Sequence, residues 1–470
     1  MSTSRLSSAV TWFALLAGAA YLFLRFSRES LEPALYCVVY YGLTTVLIWR
    51  VLLPCKGNLE KLMLGLLGIA CAYPLLNAAS LHAWADLYVH VADEDDTEVY
   101  RAWLRDGASE LRTDVSTSKV HANGDELAHL AYAQAIATHG PWPSRLEGLV
   151  KDIRGHNRAY WIHRGSQGHP PGLAILFSSV ATNPPIARAL DFCIYLLCVA
   201  AADGAGQQLQ PGADFGAFCM AMFLGVTNVL WWHSFRVSAD MLPTLPAFIG
   251  TGLLWRGLSA TPTVSRATLL AAGLCFGISC LVTHTGVLAV AAAAPLLFTV
   301  PSSGELRARA SLLLLPGVIA TVAGIAFSCA IVGVDDHVIL GRFSSAAQAE
   351  QFDRRGMNWL WLLRRLPSDL GPPLCVFWVF SLLRTCWVFS RHPCRLRALR
   401  LASAAAVVVP ASCMFWAQVR YMLPGWAFIC VGVGAFDFWE SGSNRMRSLS
   451  VATLIAFSFS KFAFSCFELY

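Results

Sequence analysis

Charge is what this sequence has least of. Of its 470 residues only 14% are Asp, Glu, Lys or Arg, while 56% are hydrophobic; soluble domains carry about 25% charged residues. A soluble core of this length cannot hide so much apolar surface, and the excess falls into runs of membrane-spanning length. The formal net charge of +6 is small, and basic residues in short cytosolic loops account for it better than nucleic acid as a partner. A disulfide or zinc framework is also missing, although there are 15 cysteines. Most of them lie inside apolar runs, the polar stretch from Trp84 to Pro184 has none, and no Cys-x-x-Cys pair occurs. They read as small buried apolar residues. Internal repeats, low-complexity tracts and soluble terminal domains are absent from the pattern as well. Arg5 precedes an apolar stretch, Ala9–Leu24, without a small-residue cleavage pattern after it; the expectation is a retained signal anchor.

What the chain has in quantity is apolar runs. A window of about 19 residues picks out Ala9–Leu24, Pro33–Ile48, Leu62–Leu81, Ile186–Ala201, Phe215–Trp231, Met241–Trp255, Thr268–Val282, Val287–Val300, Ser311–Val332, Pro373–Phe389, Leu401–Phe415, Met422–Phe436 and Val451–Phe464. The expected fold class is therefore an all-α polytopic membrane protein of about 13 spans forming one domain over residues 1–470. With the N-terminus in the cytosol, Arg50, Lys56, Lys61, Arg256, Arg266, Arg307, Arg309, the arginines from Arg391 to Arg400, Arg445 and Arg447 all fall in cytosolic loops. That asymmetry places the long loop over residues 84–184, and a second loop over residues 333–372, on the luminal or periplasmic side.

The long loop carries the chemistry. It begins with an acidic cluster, Asp93-Glu94-Asp95-Asp96, just past a span. Then comes Asp125-Glu126-Leu-Ala-His129-Leu-Ala-Tyr132, which predicts a helix closed by His139-Gly140-Pro141. At about 100° per residue, Asp125, His129, Tyr132 and Ile136 share one face and Leu127, Leu130, Ala131 and Gln134 the other. The second face is expected to pack on the membrane domain and the first to open into a cleft. The plain alternative is that Asp125 and Glu126 are first-turn acids favoured by the helix dipole. The third part, Arg164-Gly-Ser-Gln-Gly-His169-Pro-Pro-Gly172, leads into Leu173–Ala181. That apolar run is too short to cross a bilayer and suits a helix in the interface. Here the plain alternative is a proline that merely starts a helix.

An Asp-Glu-x-x-His-x-x-Tyr helix standing 44 residues before a His-Pro-Pro, from Asp125 to His169, resembles a known pattern. It is similar to the GT-C glycosyltransferases, in the branch of protein O-mannosyltransferases and lipid A aminoarabinose transferase. Further matches are Asn183-Pro-Pro-Ile-Ala-Arg188, Phe235-Arg236-Val-Ser-Ala-Asp240, the glycine-containing run Gly273–Thr283 and Arg420-Tyr421-Met-Leu-Pro424, so that the resemblance covers Leu62 to Phe436. The chain departs from that family in having three spans before the loop, and in His284 where a lysine is common.

The resemblance implies a GT-C-like bundle that moves a sugar from a polyprenyl-phosphate carrier, dolichyl or undecaprenyl, to a lipid, glycan or protein acceptor. The reaction would invert configuration at the luminal or outer face of the endoplasmic reticulum membrane or a bacterial plasma membrane. It fixes no cofactor and is compatible with a divalent cation. An attacking hydroxyl needs a carboxylate to take its proton; Asp125 is the candidate base, with Glu126 or His129 orienting it, and Asp93-Glu94 is the rival acid pair. The leaving phosphate needs fixed cations; Arg236 and Arg420 are the candidates at span ends, helped by Arg164 and His169, with Asp240 and Tyr421 as further substrate-binding positions. Snorkelling to lipid headgroups is the plain alternative for the two arginines. The other function class is a secondary transporter or channel. It requires ionisable groups well inside the spans, whereas Asp191, Asp240 and Arg384 stand nearer the ends. A third is a non-catalytic membrane scaffold.

Overall fold

The computed structural model describes residues 124–150, 157–167, 169–181, 184–209, 266–297 and 303–337, most of 221–259 and isolated positions between 375 and 423. Among these residues the chain is helical throughout, with no strand. In chain order the helices are α1 (Gly124–His139), α2 (Pro143–Leu146), α3 (Asn157–Gln167), α4 (Gly172–Phe177), α5 (Pro184–Leu209), α6 (Asn228–His233), α7 (Met241–Ser259), α8 (Arg266–Val282), α9 (Val287–Leu297) and α10 (Ser303–Val332). Short 3-10 turns follow α2 (Glu147–Val150) and join α8 to α9 (His284–Gly286). The expected spans before residue 124 lie outside the described residues, and those after residue 337 are described at isolated positions at most.

Helices α5, α7, α8 and α10 pack in that order, each against the next, and α9 lies against α10. The loop helices form a second group: α1 packs on α3 and α4, α2 and α3 rest on α10, and α4 touches α8. Close backbone approach sets two of these contacts. A Cβ at Gly273 of α8 would stand 2.3 Å from the Leu312 carbonyl oxygen of α10, and one at Gly172 of α4 would stand 2.6 Å from that of Leu281. Only glycine lets the backbones meet so closely.

Within α10, Ala308–Val332 is a 25-residue segment long and apolar enough to cross a membrane. Only 28% of its apolar window is buried. Leu315, Val318, Ile319 and Val322 stand exposed along it, and Leu270, Leu274, Ile278 and Leu281 form a matching stripe at helical spacing on α8. The paired short runs on either side of Thr283 are two separate helices. The described part of the second, α9, has 11 residues, about 16 Å at 1.5 Å per residue.

Two expectations need correction. The face of α1 that was to open into a cleft is covered: His129, Tyr132 and Ile136 are as buried as Leu130 and Ala131 opposite. Gly165 of α3 lies against Ala128 and Tyr132 of α1, and α4 also packs on α1. The apolar run after His169-Pro-Pro is helical only over Gly172–Phe177, and turns continue to residue 181. Its Ile175 and Leu176 are exposed, while Leu173, Ala174 and Phe177 are buried.

Candidate functional site

Glu126 lies in the first turn of α1, where a helix dipole favours an acid. Its setting adds a specific partner to that interaction. The side chain is 2% exposed and meets Arg188, in the first turns of α5, which is 1% exposed. Arg188 Nε donates to Glu126 Oε1 at 2.6 Å and Arg188 Nη2 to Oε2 at 2.5 Å. This is the two-pronged geometry that makes arginine–carboxylate pairs strong and directional. The backbone N–H of Val237, just before α7, adds a third donor to Oε1 at 3.1 Å. One carboxylate thus ties the start of α1 to the starts of α5 and α7.

Two more carboxylates surround the pair. Asp240 immediately precedes α7; its Oδ2 accepts from the Ser238 hydroxyl at 3.2 Å, and its own N–H donates back to that oxygen at 3.0 Å. Asp191 follows Arg188 by one helical turn and is wholly buried. Its electrostatic neighbours are Glu126, Asp240 and Arg188, and neither of its carboxyl oxygens has a hydrogen-bond partner. Sequence reasoning placed Asp191 near a span end and gave it no role. The structure sets it beside the buried ion pair.

One turn beyond Glu126, a set of imidazoles begins. The ring of His129 stands edge-on to that of His169, centroids 4.6 Å apart. The His169–Pro170 segment is seated on α10. Ser328 donates its hydroxyl to the His169 carbonyl at 3.3 Å, and a Cβ at Gly324 would lie 3.0 Å from Pro170 Cγ and 3.8 Å from His284 Cε1. His284 in turn faces His337, centroids 5.2 Å apart. Burial pushes the His284 pKa down to about 3, with the His337 and His169 charges acting in the same direction. It is a neutral imidazole at neutral pH, and neither ring nitrogen has a hydrogen-bond partner. Burial also lowers the pKa of His337 and of His163, where the Asp336 charge opposes it. The Tyr132 phenol is pushed up by burial, and its hydroxyl has no partner.

The structure therefore joins Glu126, His129, His169 and Asp240 of the expected site residues to one buried region, and adds Arg188, Asp191 and His284. Asp125 is in the first turn of α1, and its side chain lies outside the described residues. Arg164 is exposed on α3, where its guanidinium donates to the Tyr160 hydroxyl at 3.3 Å. Arg236, Arg420, Tyr421 and the rival acids Asp93 and Glu94 lie outside the described residues. Among the described residues, no group of three or more His, Cys, Asp or Glu side chains is arranged to hold a metal ion.

No protein-family model matches the chain, and a search of curated proteins finds no match either.

Proposed function

We propose that the chain is a polytopic membrane glycosyltransferase with a GT-C-like bundle of about 13 spans. It would move a sugar from a polyprenyl-phosphate carrier to an acceptor hydroxyl on the luminal or periplasmic side. One observation carries this reading: Glu126 is clamped by Arg188 and the Val237 N–H. That clamp docks the Asp125-Glu126 end of the loop helix where α5 and α7 begin. The exposed apolar stripes of α8 and α10 support the membrane setting.

The division of labour we assign is as follows. Both Glu126 oxygens are engaged with Arg188, so Glu126 is the anchor, and its neighbour Asp125 is the carboxylate assigned to take the proton of the attacking hydroxyl. His169, held against His129 and α10, is the imidazole assigned to the polar head of the donor. Arg236 and Arg420 remain the cations assigned to the leaving phosphate. The acceptor oxygen bonds to the anomeric carbon as the bond from that carbon to the phosphate oxygen breaks. The proton passes to Asp125.

A secondary transporter is the second reading. The wholly buried, unpartnered Asp191 beside Glu126 and Asp240 favours it, because intramembrane acids mark ion pathways. Membranes holding the chain, supplied with dolichyl- and undecaprenyl-phosphate sugars, separate the two readings. A transferase cleaves the sugar–phosphate bond and loses that activity in Asp125→Asn, whereas a transporter leaves the bond intact in both proteins.

A further inference from the structure

Three buried carboxylates share the surroundings of Arg188, and two of them are satisfied within the protein. Glu126 has Arg188 and the Val237 N–H, and Asp240 has the Ser238 hydroxyl. Asp191 has no hydrogen bond to either oxygen, although it is 0% exposed. The donors one turn on either side of it along α5 are used elsewhere: Arg188 binds Glu126, and the Tyr195 hydroxyl donates to the Gly225 carbonyl at 2.6 Å. A buried carboxyl with neither oxygen matched within the chain is costly, and such a group calls for a partner from outside it, a ligand, an ion or water.

We propose that Asp191 is a donor-sugar-binding residue of this site, its carboxyl oxygens accepting hydrogen bonds from hydroxyl groups of the sugar being transferred. The proposal rests on the transferase reading above and adds a specificity-determining position to it. Its place fits the role. Asp191 lies one turn along α5 from the residue that anchors the loop helix, so a sugar reaching it is held beside the Asp125-Glu126 end of α1. A carboxyl group is suited to the task because its oxygens accept hydrogen bonds, and the hydroxyls of a sugar donate them. In the absence of ligand the group is a local instability, the usual relation between binding residues and fold stability.

The test compares binding of dolichyl-phosphate mannose and dolichyl-phosphate glucose with that of bare dolichyl phosphate. It uses the purified full chain in lipid nanodiscs, for wild type, Asp191→Asn and Asp191→Leu, with thermal unfolding followed in parallel. Wild type is expected to prefer at least one sugar-bearing carrier over the bare one. Asp191→Leu should lose about 10- to 100-fold of that preference, as expected for leaving sugar hydroxyls unmatched in a buried site, and Asp191→Asn should lose less. Neither variant should lower Tm, because the carboxyl makes no internal bond to lose. Variants that keep the wild-type preference overturn the assignment and leave the transferase reading standing. Variants that keep the preference and also lose Tm make Asp191 a structural residue. A wild-type chain that binds sugar-bearing and bare carriers alike overturns both the assignment and the transferase reading.

Discussion

Glu126 and Arg188, 62 positions apart in sequence, form a buried two-pronged ion pair that fastens helix α1 to helix α5. Removing either partner leaves a charge stranded in a dry site, which costs about 3–5 kcal/mol. Glu126→Leu and Arg188→Met should each lower Tm in detergent by many degrees. The double variant should recover most of the loss, since replacing both members of a buried pair by apolar groups is often neutral. Transfer should stay low in all three, because α1 no longer carries the anchor that positions Asp125. A double variant that regains full transfer would show that the pair has no positioning role.

Gly324 makes a second, independent attachment. A Cβ there would meet Pro170 at 3.0 Å and 3.1 Å, so Gly324→Val should push the His169–Pro170 segment off α10. The helix itself tolerates valine, and the expected stability loss is about 1–3 kcal/mol from overpacking. Transfer should fall at least about tenfold, since an ångström of misplacement near the chemistry is costly. Measured KM for the carrier and Tm separate a displaced His169 from a damaged fold.

How much of this was legible beforehand depends on range. The helix opening at Asp125 and closing at His139 was readable, because its first-turn acids and the Gly140-Pro141 stop are local signals. The Glu126–Arg188 contact was not, because nothing within a few residues of Glu126 announces a partner 62 positions away. The face of α1 holding His129 and Tyr132 was expected to be open for the same reason. Periodicity shows that a helix has two faces, but not what packs on each. Asp191 does lie near the start of its helix, as its place in the apolar run indicated, but that place says nothing of what packs around it. His169 was readable as special from its prolines. That His284, 115 residues later, sits on the same glycine of α10 as Pro170 was not.

His284 predicts a pH dependence of known sign. Its pKa falls from 6.5 in the ordinary state to about 3 on folding. Between those values the unfolded chain binds a proton that the folded chain refuses. The stability from keeping this ring neutral is therefore complete above 6.5 and is lost as pH falls toward 3, at up to about 1.4 kcal/mol per pH unit. His337, lowered by burial as well, contributes with the same sign. Tm followed across that window should fall more steeply for wild type than for His284→Gln, and the His284→Gln/His337→Gln chain should be flatter still. Parallel curves for all three would show that neither ring is the titrating group.

The proposed topology makes a prediction that needs no substrate. Cysteine-accessibility or glycosylation tags at Ser116 and Gln348 should report the luminal or periplasmic side, and tags at Ser302 and Ser441 the cytosol. A cytosolic Ser116 would put the Asp125-Glu126 end of α1 on the wrong face for a luminal acceptor and end the transferase reading.

The choice between acid pairs decides where the chemistry lies. If Asp125 is the base, Asp125→Asn should bind carrier normally and fail to transfer, since an amide cannot accept the hydroxyl proton. Its fold should survive, because the interaction lost is at most a helix-dipole contribution of about 0.3–1 kcal/mol. The neighbouring Glu126→Gln must behave differently. It should lose both Tm and transfer, because Glu126 is the side chain that holds Arg188 and the Val237 N–H. Amides at Asp93 and Glu94 should leave most of the activity in place. An active Asp125→Asn protein beside a dead Asp93→Asn or Glu94→Gln protein would move catalysis to the earlier cluster, with α1 serving as a packed support. Full activity in every one of these carboxyl variants would exclude carboxylate-assisted transfer, and the buried acids of α5 and α7 would then argue for a transported ion.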